Sequence, residues 1–286
     1  MSGRNLVLKK FFRDRLAVAG STIILLLVLV AVFASYIAPY PEDTHKIHIA
    51  QRLQPPSLTH WFGTDHLGRD ILSRVIFGTR ISLTISVIAI GACLLFGVPV
   101  GLLAGYYERW PGELLMRTSD VFLALPRVIL ALALAAALSP SMNTVILALS
   151  ISFWPWFSRT VYAETKSLKN SVFIEATNAL GAGHLRVIFL HIFPNVLSPI
   201  IIRASLGMGY TILTAAMLGF LGVGAPPPTP EWGITIADSR AYLPQAWWNA
   251  TFPGLAIFVT VMGFNMLGDG LRDILDPRIR RAAKGG

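Results

Sequence analysis

Four of the six histidines, His45, His48, His60 and His66, fall within one polar stretch that also carries Asp65 and Asp70. Imidazole and carboxylate together suit nickel or zinc, so this stretch is where metal chemistry would be sought. His45 and His48 have no second type of ligand fixed beside them in the sequence, and no metal site is predicted. No G-x-x-x-x-G-K-[ST] run occurs anywhere, so the chain has no phosphate-cradling loop of its own. It also lacks the G-x-S-x-G turn of serine hydrolases and the H-E-x-x-H zinc pair. The chain is read as a non-enzyme with no catalytic residues and no cofactor of its own.

The residues with the most directed pattern lie from Glu175 to Pro194, EATNALGAGHLRVIFLHIFP. Ala176, Ala179 and Ala182 leave one side of a helix nearly bare, which lets another protein approach the backbone closely. Gly181 and Gly183 then loosen the helix. Leu185, Val187, Ile188, Leu190 and Ile192 rebuild an apolar surface, and Pro194 is expected to stop regular helix. The predicted order is helix, hinge, helix and return to an apolar span. The competing reading is a simple helical connector.

The elements that must position this loop are membrane helices. Hydrophobic residues make up 54% of the 286, charged residues 14%, and mean hydropathy is +0.61, far more apolar than an ordinary soluble domain. Apolar runs at 16–38, 81–105, 121–138, 143–163, 198–222 and 250–270 predict six spans of about 20 residues each. The first exceeds a signal-peptide core and is read as an uncleaved span. An amphipathic helix is expected near Asp70 to Phe77, with Ile71, Leu72, Val75 and Ile76 on one face. The expected units are 1–79 (tail, first span and outer segment), 80–270 (core, containing a loop at 164–197) and 271–286 (a C-terminal tail). No inverted internal repeat of the secondary-transporter kind is evident.

The formal charge of +9 does not signal nucleic acid, because the basic residues gather at the ends of apolar runs. With the N-terminus inside, the inner pieces hold 16 Lys and Arg and the outer ones 6. The positive-inside rule therefore places both termini and the Glu175 loop in the cytoplasm. Trp232, Trp247 and Trp248 fit an aromatic belt at the outer interface. The single cysteine, Cys93, sits in an apolar run, so no intrachain disulfide forms. Gly97, Gly101 and Gly105 give the second span a small-residue stripe for close helix packing. Arg80, Ser82, Thr84 and Ser86 make its start polar, which fits either the wall of a translocation path or burial against other helices. Asn265, Asp269 and Asp273 line one face at the inner end of the last span.

The Glu175 loop resembles the EAA loop of ATP-binding-cassette (ABC) importer permeases. Glu175, Ala176, Gly181 and Pro194 fall on that pattern, while Thr177, His191 and Phe193 depart from it. The stretch from His60 Trp61 Phe62 Gly63 Thr64 Asp65 to Arg69 Asp70, with Ser73, Arg74, Gly78 and Arg80, resembles the opening signature of the C-type permeases of dipeptide, oligopeptide and nickel importers. Phe264 to Asp273, with Asp276, Pro277 and Arg278, resembles their closing signature. Gly105, Tyr106, Tyr107, Leu115, Arg117, Asp120, Pro126, and Gly219 to Gly224 with Pro227, Pro230, Trp232 and Gly233 also fit, so the likeness covers nearly the whole chain. Glu108 and Arg109 stand where the family usually has two glycines.

The resemblance implies an all-α, six-helix type I ABC importer permease fold in the plasma (inner) membrane of a bacterium or archaeon. The partners it implies are a homologous B-type permease, two ATPase subunits carrying ATP and Mg, and an extracytoplasmic substrate-binding protein. Glu175, Ala176, Ala179, Gly181, Gly183, Leu185 and Ile188 would then couple to the ATPases. Trp61, Asp65, Arg69, Trp232 and Arg240 are the candidates for docking the binding protein. Peptide is the expected cargo, with nickel, another metal chelate or an oligosaccharide as alternatives within the family. A secondary transporter or channel is the alternative from another class.

Overall fold

Helices account for nearly all of the regular structure in the computed structural model, which describes residues 9–107 and 109–275. The helices that matter here are α1 (Arg15–Val32), α2 (Ile71–Tyr106), α3 (Trp110–Leu123), α4 (Arg127–Ala137), α5 (Met142–Lys169), α6 (Val172–Ala179), α7 (His184–Phe220), α8 (Trp232–Ser239) and α9 (Trp248–Leu275). Their starts are written in the sequence. Asp14 accepts a hydrogen bond from the Ala17 amide at 2.7 Å, Asp70 from Ser73 at 2.8 Å, Ser141 from Thr144 at 3.0 Å and Glu231 from Ile234 at 2.9 Å. Each side chain thereby satisfies one of the amides that a helix leaves without a partner.

Among the described residues four helices, α1, α2, α7 and α9, are both long and apolar enough to cross a membrane. The span expected at 121–138 is instead two helices, α3 and α4, bent by 80° around a short break at Ala124 to Pro126. Pro126 explains the break, since its ring disfavours helical geometry in the residue before it. The span expected at 143–163 lies inside α5, whose 28 residues would reach about 42 Å. Serines, threonines, Arg159 and Glu164 lower its apolarity, and much of its length is covered by neighbouring helices. The amphipathic helix expected near Asp70 is no separate element: it is the first two turns of α2, which continues for 36 residues. The boundary expected at 79/80 therefore falls within one helix. Most of the 271–286 tail, together with Glu108, Asp276, Pro277 and Arg278, lies outside the described residues.

Small residues set the helix spacing. A Cβ built on Gly97 would lie 2.7 Å from the Trp154 carbonyl oxygen, one on Gly101 2.6 Å from that of Ser158, and one on Gly105 2.9 Å from that of Tyr162. Both series advance by four residues, so the glycine stripe lies along α5 of the same chain. A second close pairing joins α1 to α9, where a Cβ on Gly20 would meet the Leu267 amide nitrogen at 2.4 Å and one on Gly270 the Ala17 nitrogen at 2.4 Å. Hydroxyls add directed contacts: Ser86 Oγ donates to the Met208 carbonyl at 3.0 Å, tying α2 to α7, and Ser205 Oγ to Phe264 at 3.1 Å, tying α7 to α9.

Candidate functional site

The loop expected to couple is built on a buried anchor. Ile174 from α6 and Val187, Ile188, Ile192, Val196 and Ile200 from α7 pack with Val98, Leu102 and Tyr106 of α2 and Val161 of α5. Tyr106 adds a polar tie, its hydroxyl 2.8 Å from His184 Nδ1. Ile188 is 1% exposed, so its expected role in a partner's groove is corrected: it fastens the loop to its own bundle. The opposite surface is open. Glu175, Ala176, Ala179, Gly181, Gly183 and Leu185 are all exposed, and Leu180 and Leu185 present large apolar side chains at 89% and 66% exposure. Leu180 is an exposed apolar side chain that the sequence reading passed over.

The turn between α6 and α7 shows what Gly181 does. The Ala182 amide donates to the Thr177 carbonyl at 3.3 Å and the Gly181 amide to Asn178 at 2.9 Å, the bond pair of a Schellman stop. That stop needs a left-handed residue at its centre, and Gly181 has φ of +82°. The glycine is therefore a fixed stop, more specific than the loosening expected. Pro194 does not end the helix either. The backbone widens into a π turn over Val187–Ile192 just before it and then continues to Phe220. Proline has no amide to donate, and a π turn re-registers the carbonyls of the preceding turn. The expected 164–197 loop thus begins inside α5 and ends inside α7.

The outer segment forms a buried polar lock. Asp65 Oδ2 accepts from Arg69 Nε at 2.6 Å, Arg69 reaches Asp238 of α8 at 3.8 Å, and Arg74 lies 3.8 Å from Asp65. His60 Nδ1 sits 3.0 Å from Asp70, and the Trp248 indole donates to the Thr64 carbonyl at 3.2 Å. Trp232 is 1% exposed and donates to the Val75 carbonyl at 3.0 Å. Asp65, Arg69 and Trp232, expected as docking residues, are instead buried within this chain. Trp61 and Arg240 are exposed. Of the expected belt residues, Trp247 is exposed while Trp232 and Trp248 are interior. Burial pushes the Glu231 carboxyl up to about 6, against the amides of Gly233 and Ile234 that favour its ionised form. The histidines engage separately: His48 pairs with Asp43 at 3.1 Å, His60 with Asp70, and His66 stacks on Tyr242.

The residues offered for a translocation path also make contacts within the chain. Arg80 Nε donates to the Ala31 carbonyl at 2.8 Å and Nη2 to Val32 at 3.1 Å, so it caps the C-terminal end of α1. Ser82 and Ser86 are buried, and Thr84 Oγ1 donates back to the Arg80 carbonyl at 2.7 Å. Only Ser82 and Ser86 are interior; Arg80 is exposed and Thr84 half-buried. Asn265, Asp269 and Asp273 are exposed along α9.

Comparison with known proteins agrees with this geometry. Residues 97–281 match the family described as binding-protein-dependent transport system inner membrane component. Residues 4–56 match the N-terminal transmembrane domain of oligopeptide transport permease C. The dipeptide transport system permease protein DppC of Alkalihalophilus pseudofirmus is 45% identical over 95% of this chain and 89% of its own length. The glutathione transport system permease protein GsiD of Pectobacterium atrosepticum is 43% identical over 95% of this chain and 90% of its own, and that of Escherichia coli O157:H7 is 44% identical over 95% and 89%. Among solved structures, the inward-facing MetNI methionine ABC transporter shares the fold with a TM-score of 0.60 at 18% identity, covering 71% of this chain and 97% of its own. With the matched regions spanning both ends of the bundle, the chain belongs to the binding-protein-dependent inner membrane permeases, as a C-type subunit of an ABC importer.

Proposed function

We infer that this chain forms half of the membrane path of an ATP-driven importer of small peptides and is driven through its Glu175 loop. The observation that carries the reading is the loop's two-sidedness. Ile174, Val187 and Ile188 are locked into the bundle while Leu180 and Leu185 face outward. A push on the outer side is thus transmitted to α2, α5 and α7. Swinging a two-state bundle from nearly all inward to nearly all outward takes about 5.5 kcal/mol of differential binding, and an anchored loop can transmit that where a slack connector cannot.

In this reading two separate ATPase subunits bind ATP and Mg and grip Glu175, Ala176, Ala179, Gly181, Gly183 and Leu185. A homologous B-type permease completes the path, and an extracytoplasmic binding protein meets Trp61 and Arg240 on the outer side. The distribution of basic residues supports cytoplasmic placement of the loop and both termini. The identity to permeases named for dipeptides and glutathione supports peptide cargo. The test is uptake of a radiolabelled dipeptide by proteoliposomes holding both permeases and the ATPases, with loaded binding protein on the side opposite ATP. Uptake is expected to need ATP and every subunit. Uptake by the permeases alone overturns the reading in favour of a secondary transporter.

A further inference from the structure

Two half-buried arginines within the bundle have no carboxylate paired with them among the described residues. Arg203 stands near the middle of α7 and Arg127 opens α4 just after the 80° bend. Both lie over the Trp156 ring, near the middle of α5, with guanidinium carbons 4.4 Å and 4.8 Å from its centroid. That position is about 20 Å along the helix from either end of α5. Arg127 also lies over Phe153 at 5.5 Å and Tyr210 at 5.1 Å. Arg203 Nε donates to Thr160 Oγ1 at 3.1 Å. Neither arginine forms an ion pair among the described residues, and Arg127 Nη1 is buried without a hydrogen-bond partner.

On insertion scales an arginine costs about 3 kcal/mol at the centre of a span and less toward its ends, where the runs 121–138 and 198–222 place Arg127 and Arg203, and two together also repel each other. Aromatic faces offset part of that cost, at roughly 0.5–2 kcal/mol for each contact. They supply no hydrogen-bond acceptor, however, and each guanidinium carries five N–H donors in a fixed fork. The rings therefore hold two forks in place without satisfying them. All of Arg127, Arg203, Trp156, Thr160 and Tyr210 are only half-buried, so the cluster is open to something outside this chain.

Resting on the importer reading above, we propose that Arg127 and Arg203, held by Trp156, are a station for the free carboxylate of a peptide in transit. A guanidinium fork matches a carboxylate in bidentate geometry, and the two cations together recognise it without reading the side chains. Dipeptides and glutathione, the cargoes for which the relatives are named, share a free C-terminal carboxylate and a free amine, and of the two only the carboxylate can be met by a cation.

The test uses the full assembly in phosphatidylcholine proteoliposomes, with dialanine and dialanine amide as probes and each rate normalised to the unsubstituted importer. Arg127→Gln and Arg203→Gln are expected to lower dialanine uptake about tenfold or more while changing amide uptake less than twofold. Arg203→Lys, which keeps the charge without the fork, should fall between. As a readout independent of amide transport, a Thr160→Cys variant in a Cys93→Ala background should be shielded from a thiol reagent by dialanine, with its free carboxylate, and not by the amide. The proposal is overturned if both peptides slow equally, if neither slows, or if the substitutions release the second permease on purification, which would make the arginines an intersubunit contact. It is also overturned if the assembly is active only with anionic lipid present and the Gln variants abolish that requirement, since the ligand would then be a headgroup. Stimulation of ATP hydrolysis by loaded binding protein is expected to survive in the Gln variants. Absence of that stimulation in the unsubstituted assembly would instead count against the importer reading.

Discussion

Replacing Gly101 by alanine adds one methyl group where two helices touch, and its effect can be worked from the packing. The new Cβ would stand 2.6 Å from the Ser158 carbonyl oxygen and 2.6 Å from Val161 Cβ, whereas ordinary contact begins near 3.4 Å. Neither neighbour is the free end of a flexible side chain, so α2 and α5 must separate by most of an ångström. That shift also loosens Gly97 against Trp154 and Gly105 against Tyr162, one turn and more away. Overpacking of this kind costs about 1–3 kcal/mol, and the shared stripe places this case toward the upper end. The thermal midpoint of the purified permease in detergent should fall by roughly 4–10 °C. Gly91→Ala on the same helix meets nothing within 4 Å and should leave the midpoint unchanged. Equal midpoints for the two variants would refute the claim that the stripe sets the α2–α5 distance.

Other substitutions probe the outer lock and the loop. Asp65→Asn leaves buried Arg69 with Asp238 at 3.8 Å as its carboxylate and buried Arg74 with none within 4 Å among the described residues, and should destabilise by about 3–5 kcal/mol. Asp238→Asn, at a half-exposed site, should lower the thermal midpoint much less. Glu231 holds its proton more tightly in the folded state, its pKa raised from 4.5 to about 6. Its destabilising ionisation is therefore absent below pH of about 4.5 and complete above about 6, a loss of about 2 kcal/mol as pH rises. Melting from pH 4 to 7 should show that slope, and Glu231→Gln should flatten it. Gly181→Val meets no neighbour but is strained at φ of +82° by about 1–2 kcal/mol. It should leave the protein inserted and abolish ATP-dependent uptake, as read by blotting and transport in the same membranes.

The long apolar runs made α1, α2, α7 and α9 legible, because a membrane helix must satisfy its backbone internally and shows its length in the sequence. The glycine stripe and the small-residue face of the loop were legible for a similar reason: spacing by three or four residues identifies a helix face. What stayed hidden was which partner each face meets. Asp65, Arg69 and Trp232 read as surface recognition groups, yet Asp65 pairs with Arg69, Arg69 reaches Asp238 across some 170 residues of chain, and Trp232 is buried against α2. Ile188 and Leu185 look alike in sequence, yet Ile188 is buried in the bundle and Leu185 is exposed. The Arg127–Trp156–Arg203 stack joins three helices and has no local signature.

The central claim, that the Glu175 loop is where an ATPase grips this permease, is tested most directly by cross-linking in the nucleotide-bound assembly. Cys93 is the sole cysteine and is buried, so a Cys93→Ala background allows single thiols at Leu185 and Ile188 to be compared. Leu185→Cys should form a covalent adduct with the ATPase subunit, and Ile188→Cys should not. Failure of Leu185→Cys to join the ATPase, together with its labelling by an impermeant thiol reagent added outside the cell, would contradict the account.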